Sequence, residues 1–164
     1  MDNAVSAECR DPLMIRILVD ADACPVKHET FRVAQRHGLR VYLVSNSWMR
    51  TPKENWIELK VVGDAFDAAD DWITENASAD TVVVTGDILL ASRCLKNGAA
   101  ALDFKGRLFT EDSIGGALAS RELMSHLREI GAVTGGPAPL EKQDRSRFLH
   151  ALDGLVRQRA AKPS

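Results

Sequence analysis

Two uninterrupted apolar runs constrain the fold of this chain more than any other feature of its sequence. The first is Ile17–Val19 within IRILVD, residues 15–20, and the second is Val82–Val84 within DTVVVTGD, residues 80–87. A strand that is apolar on both faces suits the interior of a parallel sheet, because helices cover both faces of such a sheet. The two runs therefore predict an α/β fold with a parallel sheet as its central layer.

Helical patterns alternate with strand patterns along the chain. Pro25 suits the first position of a helix that runs to residue 37, and Gly38 suits the C-terminal cap of that helix. The other predicted elements are strands over residues 40–46, 57–62 and 99–104 and helices over residues 65–77 and 88–97. Strands that alternate with helices in this way predict a doubly wound sheet.

Two more helices are predicted in the C-terminal third of the chain. Thr110 can cap a long helix, because acids follow it in the first turn, where they interact favourably with the helix dipole. The segment TGGPAPLEKQ, residues 134–143, then breaks the chain before a final amphipathic helix. The arginines of that helix are interpreted as a solvated face and are Arg145, Arg147, Arg157 and Arg159.

Length and composition favour one domain in a reducing compartment. With 164 residues, 45% of them apolar, the chain can bury a sizeable core. We expect a flexible segment over residues 1–13, an α/β domain over residues 14–155, and the last helix end with a tail over residues 156–164. Three cysteines at irregular spacing match neither a disulfide framework nor a zinc knuckle. The absence of a signal-peptide pattern and of a long apolar run predicts a cytoplasmic protein that does not enter a membrane.

Aspartates end the first and fourth predicted strands. Asp20 and Asp22 follow the first apolar run, and Asp87 follows the second. In open α/β sheets, ligands bind beyond the carboxyl ends of the strands, where the strand order reverses. If the order is 3-2-1-4-5, the first and fourth strands are neighbours, and the three carboxylates converge although they are far apart in sequence.

The helix predicted over residues 65–77 supplies further acids. Asp67, Asp70 and Asp71 stand at positions i, i+3 and i+4 and would therefore share one helical face. Two like charges about 5 Å apart repel each other by roughly 3 kcal/mol at an effective dielectric constant near 20. Such a cluster predicts either that some carboxyl groups take up protons or that a hard divalent cation binds among them.

Each acid also has an ordinary structural interpretation. Asp22 and Asp87 could cap the helices that follow them, and the helix acids could form a solvated first turn. Cys24 is interpreted as a small buried residue, with a thiolate stabilised by the helix N-terminus as the alternative. Acids at two adjacent strand ends together with a clustered helix face favour a site over these separate roles.

The loop after the second strand carries an aromatic residue among cations. Such a surface can stack a base and hold phosphate, whereas the alternative is a tryptophan that packs over the sheet edge. The candidate nucleic-acid-binding residues are Asn46, Trp48, Arg50, Lys53, Lys105 and Arg107. Because the net charge of -2 provides no general basic field, any such binding must be local.

Five motifs, in order, resemble the YaiI/YqxD family of uncharacterised bacterial proteins. They are VDADACPVK, DAADDWI, VVTGDILLA, GRLFT, and TGGPAPL followed by DRSRFLHALD, and they cover roughly residues 14–155. That family is similar to the PIN-like domains, which include Mg²⁺- or Mn²⁺-dependent ribonucleases with clustered acids on a 3-2-1-4-5 sheet. Two departures, TGD in place of TQD and Leu89 in place of proline, concern loop shape rather than the carboxylates.

The resemblance implies a role for each acid. Asp20 would be the first-strand acid, Asp67 or Asp71 the helix acid, and Asp87 the acid of the T-x-D turn. Asp22 would be an additional metal ligand beside Asp20, Asp71 and Asp87. The expected function is hydrolysis of phosphodiester bonds with Mg²⁺ or Mn²⁺, and single-stranded RNA is the expected substrate; this expectation comes from the wider PIN-like group.

Two other functions are compatible with the residues. A strand followed by D-A-D also resembles haloacid-dehalogenase-type phosphatases, in which the first Asp is a nucleophile and the second a general acid. Those enzymes place a helical turn and a hairpin flap after the first strand, whereas Pro25 is expected to begin a helix almost at once. The other function is a non-catalytic PIN-like module that binds nucleic acid or a basic partner.

Overall fold

Five strands build the centre of the fold. The computed structural model describes residues 15–63, 65, 67–116, 118–120 and 140–161. The strands are β1 (Arg16–Asp20), β2 (Arg40–Ser45), β3 (Ile57–Val61), β4 (Thr81–Val84) and β5 (Ala100–Leu102). They form one parallel sheet in the order β3-β2-β1-β4-β5. The predicted α/β fold class and the 3-2-1-4-5 order are therefore confirmed.

Helices connect β1 to β2, β3 to β4 and β4 to β5, and helical segments also follow β5. They are α1 (Lys27–His37), α2 (Ala68–Asn76), α3 (Ile88–Lys96) and α4 (Lys142–Ala161). Residues 111–116 and 118–120 are also helical. The Thr110 hydroxyl oxygen accepts the amide hydrogen of Ser113 at 3.1 Å, as expected for the predicted cap. Each strand and helix that was predicted with bounds is present, although it is shorter than predicted.

The prediction that Pro25 begins the first helix is wrong, because Val26 has non-helical angles of φ -117° and ψ 34°, and a short 3₁₀ helix lies between β1 and Pro25. That helix covers Ala21–Ala23, and α1 begins only at Lys27. Cys24 has extended backbone angles of φ -86° and ψ 116°, as expected for a residue that precedes proline. The chain therefore makes a helical turn directly after β1, which removes one of the two expected differences from haloacid-dehalogenase-type phosphatases.

The two faces of the sheet carry separate hydrophobic clusters. Ile17 and Val19 of β1 belong to the cluster that includes α1 and α4, whereas Leu18 belongs to the cluster that includes α2 and α3. Burying one such aliphatic side chain contributes about 1.5–3 kcal/mol, so β1 ties both helical layers to the sheet. This three-layer arrangement fixes where β1 and β4 end, and therefore where the acids that follow them lie.

Helix α4 is fixed to the rest of the fold by arginines that were predicted to be solvated. Arg145 donates a hydrogen bond to the Pro25 carbonyl oxygen at 2.6 Å, and Arg159 donates one to the Ala79 carbonyl oxygen. The other two arginines pair with acids of the same helix. The polar face of α4 therefore bonds to the fold near both ends of the helix and is not a free basic surface.

The turn after β5 packs closely on α4 through Gly106. This residue has a φ of 87°, and a Cβ atom added to it would lie 2.7 Å from the Arg147 carbonyl oxygen. Glycine is therefore required for both its backbone angle and its close packing. The contact places Lys105 and Arg107 beyond β5, at the edge of the sheet opposite β3.

Some predictions concern residues outside the described ranges. They are the flexible segment over residues 1–13, which includes Cys9, the part of the predicted long helix beyond residue 120, residues 134–139 of the predicted break, and residues 162–164 of the predicted tail. The domain boundaries stay predictions. Of the helices in the described ranges, none is long and apolar enough to cross a membrane.

Candidate functional site

An acidic cavity of about 440 Å³ lies at the carboxyl edge of the sheet. Its lining residues are Asp20, Asp22, Asn46, Ala65, Asp67, Ala69, Asp70 and Asp87. Five of these eight residues are aspartates and none is basic, so the cavity carries a concentrated negative charge. The predicted convergence of Asp20, Asp22 and Asp87 is confirmed.

Asp20 ends β1 and is held by a hydroxyl group from the neighbouring strand. The Thr85 hydroxyl donates a hydrogen bond to Asp20 Oδ2 at 3.0 Å. Burial raises the pKa of Asp20, the Thr85 bond opposes this shift, and the charges of Asp22 and Asp87 raise the pKa further. Asp20 is therefore a partly desolvated carboxyl group that is coupled to the other acids of the cavity.

Asp87 both caps α3 and lines the cavity. Its Oδ1 atom accepts the amide hydrogens of Leu89 at 2.9 Å and Leu90 at 3.3 Å. Its own amide donates to the Thr85 hydroxyl oxygen at 3.0 Å. The structural interpretation of Asp87 as a helix cap is confirmed, but the cap uses one carboxylate oxygen only, and the second accepts no hydrogen bond from the described residues.

The helix acids do not share one face. Asp71 does not line the cavity; it pairs instead with Arg93 at 3.0 Å. Helix α2 begins at Ala68, after the predicted start, and Asp67 precedes it in a left-handed backbone conformation with φ 68°. Asp70 and Asp71 are adjacent, so their side chains point about 100° apart around the helix. The prediction of Asp71 as a pocket residue is wrong, and Asp70 takes its place.

The cavity raises the pKa of the Asp70 carboxyl group well above its ordinary value. Burial is the largest cause that raises its pKa to about 6, followed by the charges of Asp87, Asp20 and Asp67, while Arg93 opposes the shift. No described residue donates a hydrogen bond to its carboxylate. Three elements, β1, α2 and the start of α3, thus bring interacting carboxyl groups into one space.

Asp22 is held by the end of β2 and does not cap α1. The Ser45 hydroxyl donates to Asp22 Oδ1 at 2.6 Å, and the Asn46 amide lies 3.3 Å and 3.2 Å from Asp22 Oδ1 and Oδ2. Helix α1 has no side-chain cap at its N-terminus. The structural interpretation of Asp22 as a helix cap is therefore wrong.

The cavity offers carboxylate oxygens as metal ligands, but the described residues do not form a complete set of ligands. Among the described residues, no group of three or more His, Cys, Asp or Glu side chains is arranged to hold a metal ion. Among the cavity acids, the carboxylate oxygens that accept no hydrogen bond from described residues are Asp20 Oδ1, Asp87 Oδ2 and both oxygens of Asp67 and of Asp70. These are the hard ligands that Mg²⁺ and Mn²⁺ prefer.

The candidate nucleic-acid-binding residues are divided between two parts of the structure. In the β2 loop, residues 46–53, Asn46 lines the cavity and the Trp48 side chain is 74% exposed. The alternative in which Trp48 packs over the sheet edge is therefore wrong. Lys105 and Arg107 lie in the turn after β5, and β1 and β4 separate β5 from β2 in the sheet, so the structure does not bring them to the β2 loop; Arg107 pairs instead with Asp103 at 3.5 Å.

Cys24 is a structural residue. Its side chain is buried, and burial raises the pKa of its thiol to about 11. This environment disfavours a thiolate. The interpretation of Cys24 as a small core residue is confirmed.

The sequence patterns did not assign a role to the hydroxyl groups of Ser45 and Thr85. Both side chains are fully buried, and they lie at the carboxyl ends of β2 and β4, which flank β1 on its two sides. Each hydroxyl bonds to one of the aspartates that follow β1. The available signal was a serine or threonine directly after an apolar strand, next to a strand that ends in acids.

Comparison with known proteins identifies relatives along most of the chain. The profile of the family described as "Uncharacterized BCR, YaiI/YqxD family" matches residues 18–158. A UPF0178 protein of Sphingopyxis alaskensis is 59% identical over 141 residues, which are 85% of this chain and 92% of the relative. Those of Caulobacter vibrioides and Gluconacetobacter diazotrophicus are 54% and 52% identical, over 88% and 90% of this chain and 94% and 98% of their own lengths.

The matched region contains every residue that lines the acidic cavity, from Asp20 to Asp87. No solved structure matches the chain. The matched region contains β2 to β5 and most of β1 and α4. The chain therefore belongs to the YaiI/YqxD family.

Proposed function

We propose that this protein is a divalent-cation-dependent phosphodiesterase that acts on single-stranded RNA. The observation that carries the proposal is the placement of Asp20, Asp70 and Asp87, from three separate elements, around one cavity whose described lining contains no basic residue. The likeness of the family to PIN-like domains gives the reaction class by analogy.

The charge of the cavity supports a cation as cofactor. A phosphodiester is an anion, and carboxylates about 5 Å away would each repel it by roughly 3 kcal/mol at an effective dielectric constant near 20. Mg²⁺ is commonly held by one or two carboxylates together with several waters. The free oxygens of Asp20, Asp70 and Asp87 fit this mode of binding, which does not require three protein ligands to converge on one point.

In this proposal, the carboxylates of the chain hold the cation and do not themselves react with the substrate. A bound Mg²⁺ or Mn²⁺ supplies a water of lowered pKa and offsets charge on the scissile phosphate. Asp20 and Asp87 would provide ligand oxygens from the end of β1 and the start of α3. Thr85 keeps Asp20 in one orientation, because its hydroxyl hydrogen is donated to Oδ2 and leaves Oδ1 free.

The β2 loop supports a nucleic acid as the substrate. Trp48 presents most of its ring to solvent, and stacking of one base on an aromatic side chain is worth about 1–3 kcal/mol. Arg50 and Lys53 are exposed in the same loop, and no described carboxylate forms an ion pair with them. They are available for phosphate groups on either side of a stacked base.

Cleavage assays test the proposal. We expect Mn²⁺ or Mg²⁺ to support cleavage of a single-stranded oligoribonucleotide by the wild-type protein and Asp20→Asn to abolish it. Asp71→Asn is the matched control, because Asp71 lies on the same helix as Asp70 but outside the cavity, and this variant should retain activity. Absence of cleavage of varied RNA and DNA at micromolar protein with either metal would contradict the proposal.

Calorimetric titration with Mn²⁺ separates a cation site from ordinary helix caps. We expect heat of binding for the wild-type protein and its loss in Asp87→Asn, because asparagine can still cap α3 but carries no charge. If neither protein binds Mn²⁺, the acids serve only as structural caps and hydrogen-bond acceptors.

A nucleic-acid-binding module without catalysis is the second candidate, because the exposed Trp48 surface does not depend on a cation. Such a protein would bind RNA and remain inert with every divalent metal. A haloacid-dehalogenase-type phosphatase is disfavoured, because residues 21–26 between β1 and α1 contain no hairpin flap. Both Asp22 oxygens also accept hydrogen bonds from the β2 end. Detection of a trapped aspartyl-phosphate would favour the phosphatase over the other two functions.

A further inference from the structure

We infer that Asp22 is a positioning residue for the β2 loop and not a ligand of the cation. This inference rests on the proposed function, since it assigns the acids of the cavity to two tasks. Asp20, Asp70 and Asp87 serve the cation, whereas Asp22 holds the loop that presents Trp48 to a single-stranded nucleic acid.

The hydrogen bonds of Asp22 distinguish it from the other cavity acids. Its two carboxylate oxygens both accept hydrogen bonds from the carboxyl end of β2, through the Ser45 hydroxyl at 2.6 Å and the Asn46 amide at 3.3 Å and 3.2 Å. Asp20 and Asp87 each use a single oxygen in this way. Asp22 is therefore committed to the protein, while the other acids keep free ligand oxygens.

Ser45 extends this contact into the β2 loop. Its hydroxyl oxygen lies 2.7 Å from the Ser47 carbonyl oxygen and accepts the Ser47 amide hydrogen at 3.1 Å. Ser45 is fully buried, whereas Asp22 is exposed. Asp22, Ser45, Asn46 and Ser47 thus form one hydrogen-bonded cluster, which fixes the direction in which the chain leaves β2.

The direction of the chain at this point decides where the ligand surface lies. Trp48 is two residues beyond Asn46, and two residues span at most about 7 Å. Asn46 lines the acidic cavity, so the Trp48 backbone stays within about one such span of the cavity rim. A base stacked on Trp48 would therefore belong to a nucleotide close to the phosphate that enters the cavity.

The chemistry of the loop specifies the partner. Trp48 offers an exposed aromatic face, and Arg50 and Lys53 provide cations that no described carboxylate neutralises. An exposed ring for base stacking together with free cations for phosphate suits an unpaired nucleic-acid strand, whose bases are accessible. The Asp22 cluster gives this surface a defined position before the strand binds.

Asp22→Asn and Asp22→Ala distinguish a positioning residue from a cation ligand. In the structure, Oδ1 of Asp22 accepts from both Ser45 and Asn46, so the carbonyl oxygen of asparagine can keep the Ser45 bond and one contact with the Asn46 amide, while the contact of that amide with Oδ2 is lost. Asparagine removes the charge that a cation ligand needs, whereas alanine removes charge and hydrogen bonds together. If Asp22 positions the β2 loop, only Asp22→Ala should weaken oligonucleotide binding. If Asp22 is a cation ligand, both variants should weaken Mn²⁺ binding.

We propose to measure binding of Mn²⁺ by calorimetry and binding of a fluorescein-labelled oligouridylate by anisotropy. In Asp22→Asn, both affinities should stay close to those of the wild-type protein, whereas Asp20→Asn should lose Mn²⁺ binding. In Asp22→Ala, Mn²⁺ affinity should be retained and oligouridylate affinity should fall roughly 3- to 10-fold, the range expected for loss of a hydrogen bond. Loss of Mn²⁺ binding in Asp22→Asn to the extent seen in Asp20→Asn would overturn the inference.

Amide hydrogen exchange tests the positioning role without a metal or an oligonucleotide. The Asn46 amide should exchange faster in Asp22→Ala than in the wild-type protein and in Asp22→Asn. Ser45→Ala should accelerate exchange of the Ser47 amide, which bonds to the removed hydroxyl. Unchanged exchange in Asp22→Ala would refute the positioning role even if RNA is cleaved. Accelerated exchange in a protein that cleaves no RNA would support the positioning role and refute only the proposed function.

Discussion

Thr85 donates its hydroxyl hydrogen to Asp20 at 3.0 Å while the same oxygen accepts the amide hydrogen of Asp87 at 3.0 Å. A hydroxyl has only one hydrogen to donate, and the contact with the amide leaves that hydrogen for Asp20. Because Thr85 is fully buried, water cannot replace these bonds when the side chain is changed. One buried group thus fixes an acid of β1 relative to the start of α3.

Thr85→Val should destabilise the protein and alter Asp20. We expect the free energy of unfolding to fall by about 1–3 kcal/mol, because a partly buried carboxylate oxygen and a partly buried amide lose their partner. The pKa of Asp20 should rise further, since the Thr85 bond is the cause that lowers it. Urea unfolding and an NMR titration of the Asp20 carboxyl group measure the two effects. Thr85→Ser keeps the hydroxyl, and equal values for both variants would contradict the assigned role.

Asp70→Asn should stabilise the protein at neutral pH. The folded-state pKa of Asp70 is raised to about 6 from its ordinary value of 3.8, so the folded protein binds this proton more tightly than the unfolded chain. Its contribution to stability is fully present below pH 3.8 and is lost as the pH rises through about 6. After allowance for screening by solvent, we expect the Tm of Asp70→Asn to exceed that of the wild-type protein by about 1–3 °C at neutral pH.

The same comparison at acid pH provides the check on Asp70. Near pH 4 most of the difference in Tm should disappear, because the wild-type carboxyl group is then protonated in the folded state. Asp71→Asn is the control, since Asp71 is paired with Arg93 outside the cavity and its loss should bring no gain in Tm. A lower Tm for Asp70→Asn at neutral pH would contradict the predicted repulsion.

Asp87→Asn and Asp87→Ala should separate the two roles of this residue. The Asp87 side chain caps α3 through the amides of Leu89 and Leu90, and asparagine is an equally good cap. We expect only Asp87→Ala to lower the free energy of unfolding, by about 0.5–2 kcal/mol. Both variants should lose Mn²⁺ binding. An asparagine variant that binds Mn²⁺ as the wild-type protein does would remove Asp87 from the proposed cation site.

The sheet and the main acids of the cavity could be predicted because local pattern and topology agree. The runs that became β1 and β4 are apolar on both faces, and strands of this kind are typical of the interior of a parallel sheet that helices cover on both sides. Once these two strands are neighbours, Asp20 and Asp87 must lie at the same edge of the sheet.

The details of the site depend on side-chain directions around α2 and on hydrogen-bond partners, neither of which can be read from the sequence pattern. The choice between Asp70 and Asp71 depends on where α2 begins and on the buried residues Ala69 and Ile73. Asp70 flanks that buried stripe, whereas Asp71 lies on the opposite side of the helix. The contact between Asp22 and Ser45 joins residues that are 23 positions apart and follows only from the register of β1 against β2.

Trp48→Ala should weaken nucleic-acid binding without affecting the fold. Because the side chain is 74% exposed, its removal should change the free energy of unfolding by no more than about 0.5 kcal/mol. Loss of one stacked base should reduce affinity for a single-stranded oligoribonucleotide by about 1–3 kcal/mol, or roughly 5- to 150-fold. Anisotropy titrations at a fixed salt concentration measure this change.

Leu108→Ala is a suitable control for the Trp48 variant. Leu108 is 47% exposed but lies beyond β5, away from the β2 loop, so its removal should leave oligonucleotide affinity unchanged. Arg50→Ala should also weaken binding and reduce the slope of log affinity against log salt by about one, because one phosphate contact is lost. If Trp48→Ala binds as tightly as Leu108→Ala, the strand does not stack on the β2 loop, and the acidic cavity must recognise its ligand without Trp48.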